Sequence, residues 1–210
     1  MENPNTDLLN TELLRGEMLR TIDAEAKAVA ELRNSLDMPA MAAVAGLIVR
    51  TTGRIILSGC GTSAMAARKI AHSLCCIERP ALFLSPADAV HGGLGVLQEG
   101  DLLILISKGG NTRELVNLIP ACKSKKAVLI GVSENSESEI ARRADYFLQV
   151  KVAAEPDPFN MLATASTMAV IAAFDAICVA LMAVTGYTKE QFAVIHPGGA
   201  VGERLHTNTE

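Results

Sequence analysis

Tryptophan is absent from this 210-residue chain, and the other aromatics amount to five Phe and two Tyr. A surface on which nucleic-acid bases stack needs more than that. No basic run occurs either: 19 Lys and Arg stand against 23 Asp and Glu, for a net charge of −4. Gripping a phosphate backbone takes a concentrated positive face, so no nucleic-acid partner is expected. The five cysteines, Cys60, Cys75, Cys76, Cys122 and Cys178, show no CxxC spacing, and the odd count includes an adjacent pair. They read as small buried hydrophobes in a reducing compartment, not as a disulfide framework. His72, His91, His196 and His206 show no HxH or HxxxH spacing, so no metal site is expected. The opening residues, Met1-Glu-Asn-Pro-Asn5, carry neither a basic nor an apolar signal region, and a cytoplasmic location is expected.

What is present is aliphatic. Half the residues are apolar and 20% are charged, with a mean hydropathy of +0.28. That composition excludes disorder and predicts a core of Ala, Val, Leu, Ile and Met. At roughly 100–200 residues per domain, the length fits one domain. Residues 161–186 are apolar enough to suggest a membrane span. Asp175 lies mid-segment, however, where insertion of a charge costs about 2.5–3.5 kcal/mol. Thr164, Ser166 and Thr167 add polarity at its start. A buried helix, or one at a subunit interface, is predicted instead, with no membrane contact.

Helical spacing of Leu9, Leu13, Ile22, Ala26, Val29 and Leu36 predicts a helix over 8–37, and Pro39 breaks it before a second over 41–49. From Arg54 onward apolar runs alternate with helical segments. The runs are Ile55-Ile-Leu57, Ala81-Leu-Phe-Leu84, Leu102–Ile106, Ala127–Val132 and Tyr146–Val150. Helices are predicted over 64–76, 113–122, 137–143, 163–185 and 189–195, with a loop over 85–95. Continuous apolar strands between helices indicate a parallel sheet covered on both faces, a three-layer α/β/α sandwich. The expected division is an N-terminal helical extension over 1–50, a single α/β domain over 51–206 and a tail over 207–210.

Ligands of open parallel sheets bind outside the carboxyl ends of the strands. Three polar loops fall there: Gly59-Cys-Gly-Thr-Ser63, Ser107-Lys-Gly-Gly-Asn-Thr112 and Ser133-Glu-Asn-Ser136, the last without glycine. Gly59 and Gly61 let the backbone approach a ligand, the following helix offers free amides, and Ser63, Ser107 and Thr112 offer hydroxyls. Such a turn also serves simply as a helix cap. Two of them after neighbouring strands favour an anionic small-molecule site.

The chain resembles the SIS (sugar isomerase) family, and within it the arabinose 5-phosphate isomerase branch. The resemblance rests on Gly59-Cys-Gly-Thr-Ser63 with Ala67-Arg-Lys-Ile-Ala71, and on His91-Gly-Gly-Leu-Gly95. It continues through Lys151-Val-Ala-Ala-Glu155, Ala163-Thr-Ala-Ser-Thr167, Asp175-Ala176 and His196-Pro-Gly-Gly-Ala-Val-Gly202. It implies a flavodoxin-like five-stranded parallel sheet and an aldose–ketose isomerase of a phosphorylated pentose, working through an enediol without a cofactor. It also implies Glu114, Glu155, His91 and His196 as acid–base groups. Gly59, Gly61, Thr62, Ser63, Ser107, Lys108 and Thr112 become the substrate-binding set. Homodimers or homotetramers with sites at subunit interfaces are expected.

Each acid–base candidate also has a plainer reading. Glu114 lies in a first helical turn, where an acid gains about 0.3–1 kcal/mol with no catalytic task. Glu155 and His91 read equally as loop residues, while His196 stands in a small His-Pro-Gly-Gly loop that suits function better. Three departures stand out: Thr62 replaces the lysine usual in the family's first loop, Lys108 appears in the second, and Gly93 replaces an Asp usual after the His-Gly pair. Lys108 is therefore expected either to restore the missing cation from across the pocket or to point into solvent. The 11 residues after His196-Pro-Gly-Gly199 are too few for the tandem CBS module that often follows in the family. Alternatives remain a non-catalytic sugar-phosphate sensor and a lyase or etherase of an amino-sugar phosphate.

Overall fold

Five aliphatic runs supply the strands. In the computed structural model, which describes residues 10–199, they are β1 (Ile55–Gly59), β2 (Ala81–Phe83), β3 (Leu102–Ile106), β4 (Val128–Ser133) and β5 (Tyr146–Gln149). Residues 1–9 of the expected extension lie outside the described residues, as do residues 200–202 of the late glycine motif, His206 and the tail 207–210. All five strands are parallel, in the order β2-β1-β3-β4-β5. That is the flavodoxin-like order, with its switch point between β1 and β3. Gly59 pairs with Ile106, and Ile106 with Val132. The three polar loops therefore leave the sheet side by side.

Strand residues alternate between two cores, as the pleat requires. Ile55, Leu57, Leu102, Ile104, Ile130 and Val132 face one. Ile56, Leu103, Leu105 and Leu129 face the other. The first core is roofed by α1 (Thr11–Ser35), α2 (Met38–Arg50), α3 (Thr62–Cys75) and α8 (Ala165–Thr185). The second is roofed by α4 (Pro86–Ala89), α5 (Arg113–Val116), α6 (Ile119–Ser124) and α7 (Glu139–Arg143). The last helix is α9 (Lys189–Ile195). The three-layer sandwich expected from the sequence is the observed one.

Local differences trace to proline and capping. Pro39 does not break a helix; it occupies the first turn of α2, where its missing N–H costs nothing. The break falls earlier, where the Asp37 carboxylate accepts the Ala40 amide at 3.1 Å. The single helix expected over 113–122 is two, because Pro120 belongs to the first turn of α6 and its ring opposes continuation from α5. The expected loop over 85–95 contains α4 and a 3-10 turn, Gly93–Val96.

Among the described residues, α8 has the length and hydropathy of a membrane span. Its Ala165, Ala169, Ala173, Ile177 and Leu181 form one buried i, i+4 row, beside a second of Ser166, Phe174 and Cys178. These rows pack against α1, α2 and α3, and Asp175 pairs with Lys69 of α3. The helix is a core element, as its interrupting charge suggests.

Asp101 clamps the amino ends of the central strands. It is 2% exposed and accepts from the Arg54 amide at 2.7 Å, the Gln98 amide at 2.8 Å and the Arg54 guanidinium at 3.1 Å. Asp101→Ala strands two backbone donors and is expected to cost about 2–3 kcal/mol in urea unfolding. A loss under about 0.5 kcal/mol, the level of an ordinary surface change, would show that the clamp is dispensable.

Candidate active site

The first loop is built for close approach. A Cβ on Gly59 would stand 2.7 Å from the Ser63 carbonyl oxygen, so only glycine lets α3 turn back directly against β1. Gly61, the N-cap of α3, supplies no side-chain cap. The helix amides at Thr62 and Ser63 thus open toward the carboxyl edge of the sheet with the positive end of the helix dipole behind them.

The second loop is locked by its own hydroxyls and by the third loop. Ser107 is buried; its Oγ accepts the Gly110 amide at 3.0 Å and shares a 2.8 Å hydrogen bond with Thr112 Oγ1. Gly110 has φ +70°, and a Cβ there would lie 2.1 Å from Ser138 Oγ and 2.7 Å from Ser133 Oγ. Ser133 Oγ donates to the Lys108 carbonyl at 2.8 Å.

Between these loops and the start of α8 lies a cleft with about 380 Å³ of free space, part of it open to solvent. Ser63, Ser107, Lys108, Ser133, Glu134, Ser166 and Thr167 supply its polar lining, with Ile106, Val132, Val150 and Val170 among the apolar walls. A wider depression of about 840 Å³ outside it shares Lys108 and Glu134 and adds Lys151.

Glu155 anchors this region from beneath. Its side chain is wholly buried. Oε1 accepts from Lys108 Nζ at 2.5 Å and from Ser166 Oγ, and Oε2 from the Thr164 and Ser166 amides at 3.1 and 3.3 Å. Burial pushes the carboxyl upward, but these donors outweigh it and hold the group below its ordinary 4.5. Glu155 therefore caps the otherwise uncapped N-terminus of α8 and ion-pairs with Lys108. Lys108 therefore lines the cleft opposite the first loop with its ammonium paired, and does not point freely into solvent.

The remaining candidates lie apart from this anchor. Glu114 is exposed in the first turn of α5. Burial pushes the neighbouring Cys60 thiol up and the Glu114 carboxylate adds to the shift, which places Glu114 beside the first loop. His91 is exposed just beyond α4, which packs against α5. His196 is elsewhere. It ends α9, stacks on Phe192 at 3.9 Å and donates from Nδ1 to the Phe192 carbonyl at 2.9 Å. Gln191 of α9 reaches Glu78 at 3.5 Å. Glu78 follows the C-terminus of α3, at the edge of the sheet opposite the cleft.

Ser133, Glu134 and Ser166 line the cleft, although the sequence marks none of them as a site residue. The third loop after a strand points to the first two, and Ser166 lies within Ala163-Thr-Ala-Ser-Thr167. Their burial against the second loop is tertiary and has no local signature.

Known proteins share this fold. A Listeria monocytogenes candidate sugar-phosphate isomerase superposes with a TM-score of 0.89 at 58% identity, covering 90% of this chain and 99% of that one. An Escherichia coli CFT073 protein solved in complex with arabinose 5-phosphate gives 0.85 at 29% identity, covering 90% and 99%. Among sequence relatives, the arabinose 5-phosphate isomerase KpsF of E. coli O6:H1 is 37% identical over 188 residues, covering 90% of this chain. The KdsD enzyme of Yersinia pestis is 38% identical over 171 residues, covering 78% of this chain and 52% of its own. The chain spans 58% of the length of the KpsF relative. The SIS domain profile matches residues 48–183, a stretch that takes in the five strands and all three loops, and the chain belongs to the SIS domain family.

Proposed function

We propose that this chain is an aldose–ketose isomerase of a phosphorylated sugar, with arabinose 5-phosphate as the model substrate and an enediol(ate) as the intermediate. The observation that carries the reading is the cleft itself. An uncapped helix N-terminus, the Ser107–Thr112 hydroxyl pair and the Lys108 ammonium converge at the carboxyl edge of the sheet. An anionic phosphoryl group matches that set of donors. The names of the relatives, and the arabinose 5-phosphate bound to a structural neighbour, support the same substrate class.

Roles divide by how free each group is. Ser63, Ser107 and Thr112, with the backbone of Gly59, Gly61 and Thr62, cradle the phosphate, and Lys108 leans from Glu155 to neutralise it. Glu155, whose four acceptor positions are filled, holds Lys108 and α8 in place. Glu114 has an open carboxylate and removes the proton alpha to the carbonyl. His91 assists ring opening and transfer of protons between the two oxygens. His196, held at the far edge of the sheet, serves the cleft of a second copy. Leu13, Met18 and Ile22 of α1 are 62%, 62% and 60% exposed, and Val179 and Val184 of α8 are 66% and 75% exposed. These positions provide the apolar surface for that assembly. The protein acts in the cytoplasm, where its five free thiols remain reduced.

Incubation with D-arabinose 5-phosphate in deuterated water, followed by NMR, is expected to show deuterium entering at the carbon alpha to the carbonyl, together with the ketose product. Binding without exchange would replace the enzyme with a sensor. Lys108→Ala is expected to weaken phosphosugar binding at least about tenfold, the loss of one charge-assisted contact, and an unchanged affinity would remove Lys108 from the phosphate site. Sedimentation is expected to show an oligomer at micromolar concentration; a strict monomer would rule out the shared site.

Acid sensitivity follows from Glu155. Its carboxyl titrates below 4.5 in the folded chain, so its stabilising contribution is complete above about pH 5 and is lost as pH falls through the lowered value. Thermal melts of Glu155→Gln, a less stable variant, are expected to be flatter than wild type across that acid range. Parallel acid profiles would assign the loss to other groups.

A further inference from the structure

Two buried oxygens, one lining the cleft and one beside it in the chain, have shed water without gaining a partner. Among the described residues, the buried side-chain oxygens lacking any hydrogen bond are Glu134 Oε1, Thr164 Oγ1 and Tyr187 OH. Tyr187 sits beyond the far end of α8. Of the other two, Glu134 lines the cleft, and Thr164, which does not, is next in the chain to the lining residue Ala163. A buried polar oxygen without a partner costs about 1–3 kcal/mol, and folds seldom keep two in one place unless something else binds them.

The backbone of Glu134 is fixed on both sides. Its amide donates to the Lys108 carbonyl at 3.0 Å, and its own carbonyl accepts Gln149 Nε2 at 2.8 Å. The side chain is thus presented by the same framework that positions Lys108. Burial moves its carboxyl upward, Lys108 and the Val152 amide pull it back, and Glu155 pushes it up again, leaving it above its ordinary value. A carboxylate oxygen accepts, which suits the O–H of an alcohol and repels a phosphate.

We propose that Glu134 is a specificity-determining residue whose Oε1 accepts a hydrogen bond from a hydroxyl on the carbon chain of the bound phosphosugar. The inference rests on the phosphosugar reading above and adds to it the group that senses the sugar rather than its phosphate. It separates two tasks within one cleft. The first and second loops hold the anion, and the third loop reads the polyol.

The test titrates wild type, Glu134→Ala and Glu134→Gln with D-arabinose 5-phosphate and, separately, with inorganic phosphate. Glu134→Ala is expected to bind the sugar phosphate about tenfold more weakly, equivalent to one buried hydrogen bond. It should hold inorganic phosphate within about twofold of wild type, well under the 1.4 kcal/mol that a tenfold change represents. Glu134→Gln, which keeps an acceptor oxygen in the same place, should recover most of the sugar affinity. Unchanged sugar affinity in Glu134→Ala overturns the inference while leaving the phosphosugar reading intact. Equal losses for phosphate and sugar phosphate also overturn it, by assigning the effect to charge or folding. A wild type that binds inorganic phosphate but not the sugar phosphate overturns both.

Discussion

The cleft depends on one buried carboxylate. Glu155 gathers four donors from three places: the second loop through Lys108, the entry to α8 through two amides, and the α8 side chain of Ser166. Desolvating a carboxylate costs several kcal/mol unless every acceptor position is filled, so each donor is held where Glu155 needs it. The result is geometric: the loop after β3 and the helix after β5, distant in sequence, are fixed to one ion. Asn160 extends the constraint by accepting the Glu155 amide at 2.6 Å.

That anchor also explains how a lysine serves in an unusual position. Thr62 stands in the loop where the family usually places a cation, and Lys108 stands one loop over, 37% exposed and paired at its tip. An unpaired lysine at the mouth of the cleft would sample many rotamers and lose that freedom on binding. Paired with Glu155, it is already ordered. The carboxylate lies beneath it and the cleft in front, so the ammonium has protons to spare for a second anion without leaving the first.

The sheet was legible in the sequence because strands buried on both faces read as uninterrupted aliphatic runs. β1 and β3, wholly buried, show this best. The loops at the carboxyl edge were legible for a local reason too: glycine beside hydroxyl residues after two neighbouring strands marks a close turn into a helix, although such a turn also serves as a cap. Less legible was anything set by where prolines fall within a turn. Pro39 and Pro120 signal a helix boundary without saying on which side of it they stand, and both stand just inside a helix. The roles of Glu134 and Glu155 were hidden for a different reason. One is a loop residue whose significance lies in a missing partner, the other a loop acid whose partners come from 47 and 11 positions away. His196 was legible as an unusual histidine but not as one held at the opposite edge, because α9 is placed by tertiary contacts to Glu78.

The packing of α1 and α2 against α8 has a consequence for the order of assembly. Among the described helices, the two nearest the amino terminus roof the same core as the last long one. Leu32, Met41, Val44 and Ile48 cannot complete their burial until residues 165–181 have been synthesised. Contacts of such high sequence separation are slow to close. At the usual pace of translation, about 5–20 residues per second, the amino-terminal pair waits several seconds with its apolar face uncovered. Over that interval the lack of aromatic side chains is an asset, since a stripe of Leu, Met, Val and Ile sticks to strangers less tightly than one of Phe and Trp.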